Sequence, residues 1–171
     1  RSHYLTLGQE AARLSTAFDS VTLYGEDPHS RPDIFGKIGN SGVNIPTLDD
    51  MKKLYSGFDL CAPTTSVSMT INGAAVPIIA MYFAMAKKRG FDWRTLKGTA
   101  QNDILKEYQA QKEWIYPVAP SVRIVRDCIT YCARHMKRYN PINISGYHVS
   151  EAGSSPLDEV AFTMCNLIAY V

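Results

Sequence analysis

Short apolar runs alternate with helical patterns along this chain, and that alternation restricts its fold more than any other feature. Strands that pair in parallel need a crossover long enough to hold a helix, so the pattern predicts β/α units feeding a parallel sheet. The expected strands are Leu14–Phe18, Gly42–Ile45, Ser66–Ile71, Leu96–Ala100 and Ile142–Ser145. Thr47, with Asp50 three residues on, has the spacing of a helix start, and Gly57 follows that helix's last turn. The next helix starts near Gly73, accommodates Pro77 in a first turn with spare donors, and ends in Lys87-Lys88-Arg89-Gly90. Ser121 is expected to cap a helix whose Val122, Val125, Ile129, Cys132 and Met136 form one apolar stripe, ending around Tyr139-Asn140. A last helix opens at Ser155-Pro156 with Asp158 and runs apolar through Val160, Phe162, Met164, Leu167 and Ile168.

Five such units fit an open doubly wound sheet, or part of a (β/α)8 barrel, which takes about 250 residues. The chain has 171 residues, its first is not Met, and its last helix is uncapped at Val171. The expectation is a piece of a longer protein with no internal domain boundary, since no linker, low-complexity tract or repeat divides it.

Composition removes several function classes. With 46% hydrophobic and 20% charged residues the chain can bury a core and is not disordered. Its 18 basic and 16 acidic residues are interspersed and leave a charge of +2, unlike the footprint of a nucleic-acid binder. The longest apolar run, Ala74 to Ala86, falls short of the roughly 20 residues that cross a bilayer and contains Pro77. Arg1-Ser2-His3-Tyr4 lacks the pattern of a secretory signal, so neither nucleic acid nor membrane is expected as a partner, and the expected setting is cytoplasmic. Cys61, Cys128, Cys132 and Cys165 form no C-x-x-C pair and are read as buried free thiols.

Polar residues recur where the strands end: Ser15 and Asp19, Ser68 and Thr70, Thr99 and Gln101, Ser145 and His148. In parallel β/α proteins ligands bind at that edge, although any one of these residues is also explained as a cap or turn. His148, just past a strand, suits a neutral imidazole that bonds a substrate carbonyl or moves a proton; the plainer reading is a loop histidine. His148 and Glu151 have helical spacing, but no third ligand is apparent and no metal is expected. Gly36, Gly39 and Gly42 match neither a dinucleotide fingerprint nor a P-loop, so a flexible turn is expected. Asn102 and Asp103 are read as helix caps, which leaves Gln101 unexplained. Trp114-Ile115-Tyr116-Pro117 reads as packing.

Four longer motifs add a resemblance. Leu14-Ser15-Thr16-Ala17-Phe18-Asp19, Ser66-Val67-Ser68-Met69-Thr70-Ile71-Asn72-Gly73, Gly98-Thr99-Ala100-Gln101-Asn102-Asp103-Ile104-Leu105-Lys106-Glu107 and Ile144-Ser145-Gly146-Tyr147-His148 with Glu151-Ala152-Gly153 resemble, in order, the adenosylcobalamin-dependent acyl-CoA mutases. The methylmalonyl-CoA mutases are the best known of these. The resemblance runs from about Arg13 to Val171 and implies part of the (β/α)8 barrel through which coenzyme A threads. It implies that Ser15, Ser68, Thr70, Thr99 and Gln101 line the acyl-CoA path and that His148 bonds the thioester carbonyl. Phe18, Ser41, Ala110 and Glu151 fall where the family contacts cobalamin.

Gln111 stands where the methylmalonyl enzymes carry an arginine for the substrate's free carboxylate. A neutral amide cannot replace that charge-assisted contact, and the resemblance there is to isobutyryl-CoA and 2-hydroxyacyl-CoA mutases. Phe18 to Gly25 and Asp59 to Thr65 resemble isobutyryl-CoA mutases fused to a GTPase chaperone, and Leu23 departs from a histidine of the methylmalonyl type. The D-x-H-x-x-G motif of the lower cobalt ligand, the cobalamin-binding domain and a GTPase P-loop are not in this sequence. The resemblance thus implies a radical isomerase that interconverts isobutyryl-CoA and n-butyryl-CoA, with Gln111 setting acyl choice. Its partners would be a cobalamin-binding domain or subunit, a GTPase chaperone and further copies in an oligomer, and the segment alone is expected to be inactive. The alternatives are a 2-hydroxyisobutyryl-CoA or methylmalonyl-CoA-type mutase, and a non-catalytic partner subunit.

Overall fold

The computed structural model describes residues 7–9 and 12–171. Four strands, β1 (Arg13–Ala17), β2 (Ser66–Thr70), β3 (Gly98–Ala100) and β4 (Tyr139–Asn140), form one parallel sheet in chain order. Every crossover therefore moves one strand further in the same direction, as in a barrel wall, whereas a doubly wound sheet reverses at a switch point. After β1 come the short helices α1 (Ser20–Leu23), α2 (Pro32–Phe35) and α3 (Leu48–Leu54); α4 (Ala75–Lys88) links β2 to β3. Helix α5 (Val118–His135) leads into β4, and α6 (Tyr147–Glu151) and α7 (Pro156–Tyr170) follow it.

Side chains alternate cleanly across the sheet. Leu14, Thr16, Val67, Met69 and Ala100 are buried, while Ser15, Ala17, Ser68, Thr70 and Asn140 on the opposite face are exposed. A sheet clad on both sides would bury both sets, so the one-sided burial identifies an α/β barrel segment with its helices outside. Ile78, Ile79, Tyr82, Met85 and Ala86 of α4 join Val67, Met69, Leu96, Ala100 and Tyr139 in the core. Tyr82 packs edge-on against Tyr55 at 5.4 Å, and Phe83 does the same against Tyr139 at 5.5 Å. Each large apolar side chain fully buried there contributes roughly 1.5–3 kcal/mol.

The sheet has four strands where five were expected. Gly42–Ile45 adds a single bridge, in which Val43 N–H donates to Ala17 O and Val43 O accepts from Asp19 N–H. The buried Asp19 carboxylate prevents a longer ladder by gathering the segment around itself: it accepts from Gly39 N at 2.8 Å and from Asn44 Nδ2 at 2.9 Å. The expected flexible turn is thus a bonded one, and a Cβ on Gly42 would lie 2.3 Å from the Phe18 carbonyl carbon. At the other end Tyr139–Asn140, expected to close a helix, are β4, and the expected strand Ile142–Ser145 lies outside the sheet. Helix α5 ends early because Met136 leaves helical geometry, and Pro141 has no N–H to continue the ladder.

Ser121 does not cap α5. The helix begins at Val118, with Pro120 in its donor-rich first turn, and Ser121 is buried against Tyr108 and the Tyr116 carbonyl. Thr47 and Ser155 do cap their helices, accepting from Asp50 N and Asp158 N, and Asp158 completes a capping box. Leu157, Val160 and Ile168 on α7 are 61–78% exposed, and Cys165 beside them is exposed rather than buried as expected. No described helix is long and apolar enough to cross a membrane.

Candidate functional site

Strand register builds the first part of the site. Ser15, Ser68, Thr99 and Asn140 occupy one row across all four strands, on the face that carries no helices. Thr70 shares that face one step on, paired with Ala17. Barrel interiors are ordinarily filled by Val, Ile and Leu. Short hydroxyl side chains leave that volume open and line it with donors and acceptors, while Asn140 Nδ2 donates to Thr99 Oγ1 at 3.4 Å.

Beyond the strand ends lies a polar network. Asn72, after β2, donates through Nδ2 to Gln101 Oε1 at 3.0 Å and to Glu107 Oε1 at 2.6 Å, and its Oδ1 accepts from Asp103 N at 3.1 Å. Lys106 Nζ lies 3.3 Å from Glu107 Oε1, 2.8 Å from Gln111 Oε1 and 3.4 Å from His148 Nε2. Gln111 Nε2 donates to Glu113 Oε2 at 2.6 Å, and Glu107 Oε2 accepts from Glu113 N at 3.0 Å. The Gln111 amide therefore has one orientation, with its carbonyl on an ammonium and its NH2 on a carboxylate. Asp103 anchors the far side by accepting from Tyr170 OH at 2.7 Å and Ser145 N at 3.2 Å.

The backbone explains why Lys106 meets Gln111. Residues Glu107–Gln111 form a π-helical turn closed by Lys112 N–H donating to Glu107 O at 2.7 Å, and Lys112 then turns left-handed at φ 68°. Five-residue spacing stacks side chains there, and such turns are frequent at functional sites.

Burial governs the electrostatics. The side chains of Lys106 and Glu107 are both 0% exposed. Burial pushes the Lys106 ammonium below its ordinary pKa, partly offset by Glu107, and pushes Glu107 above its own, partly offset by Lys106. His148 is held below its usual value by burial and then by the Lys106 charge, against the pull of Asp103. Its Nδ1 is buried and has no hydrogen-bond partner among the described residues.

The network thus brings Gln101, Gln111 and His148 together, and Ser15, Ser68, Thr70 and Thr99 share the open face leading to the same strand ends. Ser41 is exposed at φ 61°, Ala110 is half-buried on the π turn, and Glu151 is exposed at the end of α6. Phe18 stands apart, with its side chain 3% exposed in the core. Asn102 and Asp103 are cross-links and not the expected caps: Asn102 Nδ2 reaches the Pro141 carbonyl at 2.9 Å. Sequence reasoning missed Asn72, Lys106, Glu107, Glu113, Asn140 and Tyr170 as site residues. A mainly apolar groove of about 490 Å³ between α4 and α5 contains none of these side chains.

Comparison with known proteins gives the family. The family model described as methylmalonyl-CoA mutase matches residues 2–171. The large subunit of 2-hydroxyisobutanoyl-CoA mutase from Aquincola tertiaricarbonis is 58% identical over all of this chain, which covers 30% of that subunit. A fused isobutyryl-CoA mutase from Geobacillus kaustophilus is 48% identical, again over the whole chain and 18% of the relative. Methylmalonyl-CoA mutase of Escherichia coli is 45% identical over 98% of the chain and 23% of the relative. The chain spans less than a third of the length of these curated relatives, and it belongs to the methylmalonyl-CoA mutase family.

Proposed function

We propose that this chain is the substrate-holding part of an acyl-CoA mutase that interconverts isobutyryl-CoA and n-butyryl-CoA. The observation that carries the reading is the setting of Gln111, whose amide lies between Lys106 and Glu113. Around Lys106 stand the carboxylates of Asp103, Glu107 and Glu113, so acidic groups outnumber the one ammonium. A substrate carboxylate would add another negative charge and find no free guanidinium, whereas an uncharged acyl chain adds none.

The row of Ser15, Ser68 and Thr99, with Thr70 beside it, suits the polar length of a coenzyme A chain. Gln101 has its carbonyl engaged by Asn72, which leaves its NH2 to donate, and His148 has Nδ1 to offer. Together they would hold a thioester carbonyl at the strand ends and exclude water from it.

Ser41, Ala110 and Glu151 would meet adenosylcobalamin, and the exposure of Ser41 and Glu151 and the half-buried Ala110 leave them open to a large group; the buried Phe18 side chain does not fit that contact. When bound, that cofactor supplies the hydrogen-abstracting radical chemistry. The protein would work with a cobalamin-binding domain or subunit, and with a GTPase chaperone and an oligomeric partner as the isobutyryl-type resemblance implies.

A second reading, 2-hydroxyisobutyryl-CoA as substrate, is favoured by the 58% identity to a relative of that name. The test is competition between isobutyryl-CoA, 2-hydroxyisobutyryl-CoA and methylmalonyl-CoA on the full-length protein with adenosylcobalamin. Isobutyryl-CoA should lead in kcat/KM. A lead for the hydroxy acid selects the second reading, and methylmalonyl-CoA turned over as well as isobutyryl-CoA overturns both.

A further inference from the structure

His148 carries the clue in its two nitrogens. Nδ1 is buried without a partner among the described residues, while Nε2 faces Lys106 Nζ. The ammonium offers three N–H donors and no acceptor, and three atoms lie within reach: Glu107 Oε1 at 3.3 Å, Gln111 Oε1 at 2.8 Å and His148 Nε2 at 3.4 Å. The first two can only accept, because one belongs to a carboxylate and the other is the amide oxygen fixed by Glu113. With those two donors committed, the third has one acceptor left.

We propose that Lys106 is a positioning residue that sets the tautomer of His148: by donating to Nε2 it forces the proton onto Nδ1, the nitrogen offered to substrate. A neutral imidazole has one donor and one acceptor, and the hydrogen bond made by one nitrogen fixes the role of the other. Without that constraint imidazole prefers its proton on Nε2, which would leave Nδ1 a lone pair facing the lone pairs of a carbonyl oxygen. The same ammonium holds the Gln111 carbonyl, so one side chain orients both the group that meets the thioester and the group assigned to acyl choice. Glu107 and Asn72 keep the ammonium in place, since Asn72 Nδ2 bonds the same Glu107 oxygen at 2.6 Å. The role of Nδ1 toward substrate rests on the acyl-CoA reading; the tautomer itself does not.

The test separates the two. In full-length protein with 15N-labelled histidine, nitrogen chemical shifts report which ring nitrogen is protonated, and a His148→Gln sample assigns the signal without any turnover. The wild-type protein should show a protonated Nδ1 and a bare Nε2. Lys106→Met should return the proton to Nε2, and Lys106→Arg, which keeps a donor, should leave it on Nδ1. In turnover, Lys106→Met should lower kcat by about tenfold or more with KM changed less than threefold, on the scale of a lost orienting group. A wild-type proton on Nε2 overturns the proposal even if no variant folds, as does an unchanged tautomer in a folded Lys106→Met. Wild-type protein with the expected tautomer and no acyl-CoA mutase activity would leave the tautomer assignment standing and sink the functional reading.

Discussion

Replacing Glu107 with leucine would remove the carboxylate that touches Lys106 Nζ and strand a lysine whose side chain is fully buried. It would also take an acceptor from Asn72 Nδ2 and another from the Glu113 amide. Breaking a buried ion pair from one side costs about 3–5 kcal/mol, a large part of the roughly 5–15 kcal/mol that holds a typical domain together. Lysine has an escape, because burial already pushes its pKa down and loss of a proton removes the stranded charge. The lower end, about 3 kcal/mol, is therefore the expected loss. Lys106→Met with Glu107→Leu deletes both charges at similar volume and should be more stable than Glu107→Leu alone by about 2 kcal/mol. Urea unfolding of the full-length protein and the variants measures these differences as midpoint shifts at constant slope. A Glu107→Leu loss under about 1 kcal/mol, or a double variant no better than the single, would refute the view that this pair is an interdependent buried unit.

Turnover should depend on His148: His148→Ala is expected to lower kcat by about 100-fold in the full-length holoenzyme, measured at saturating acyl-CoA. Gln111→Arg should lower kcat/KM for isobutyryl-CoA by at least about tenfold, since it removes the carbonyl that accepts from Lys106 and sets a second cation beside that ammonium, without creating a good methylmalonyl-CoA enzyme. Burial and Lys106 outweigh Asp103 in lowering the His148 pKa, so neutral imidazole contributes fully above its ordinary 6.5 and its contribution is lost as pH falls below that value. The acid limb of kcat against pH should accordingly lie below 6.5, and a limb above it would contradict the assignment. Gly98→Ala should destabilise the sheet by about 1–3 kcal/mol or more, read from the melting midpoint, because its Cβ would lie 2.1 Å from Val67 O.

Much of the fold was legible because period and capping are local signals. The Thr47 and Ser155 starts follow from side chains that bond amides three residues on, and β2 and α4 follow from one alternating run and one continuous apolar run. Misplaced elements have non-local causes. Gly42–Ile45 has strand composition, yet a carboxylate more than twenty residues earlier, Asp19, draws Gly39 and Asn44 into a loop. Tyr139–Asn140 look like a helix end until the register with Gly98 and Thr99 is known.

The site divides in the same way. Gln101 and His148 were legible from long motifs, Gln111 from its departure from the arginine of the methylmalonyl type, and the serines and threonines from strand alternation. Lys106 and Glu107 were not, since adjacent opposite charges on a helix ordinarily mark a solvated face. In an α-helix Lys106 would meet residues 109 and 110, its i+3 and i+4 neighbours, and Gln111 would point elsewhere. The π turn adds one residue to the circuit and stacks Gln111 on Lys106 instead. No periodicity in the sequence announces that residue, because a single π turn interrupts the apolar pattern no more than an ordinary helix end does. Lys106 thereby reaches Gln111 within its own segment while it also meets His148 across on α6. The segment that sequence reading treats as one more helix is therefore the part of the fold on which the geometry of the site depends.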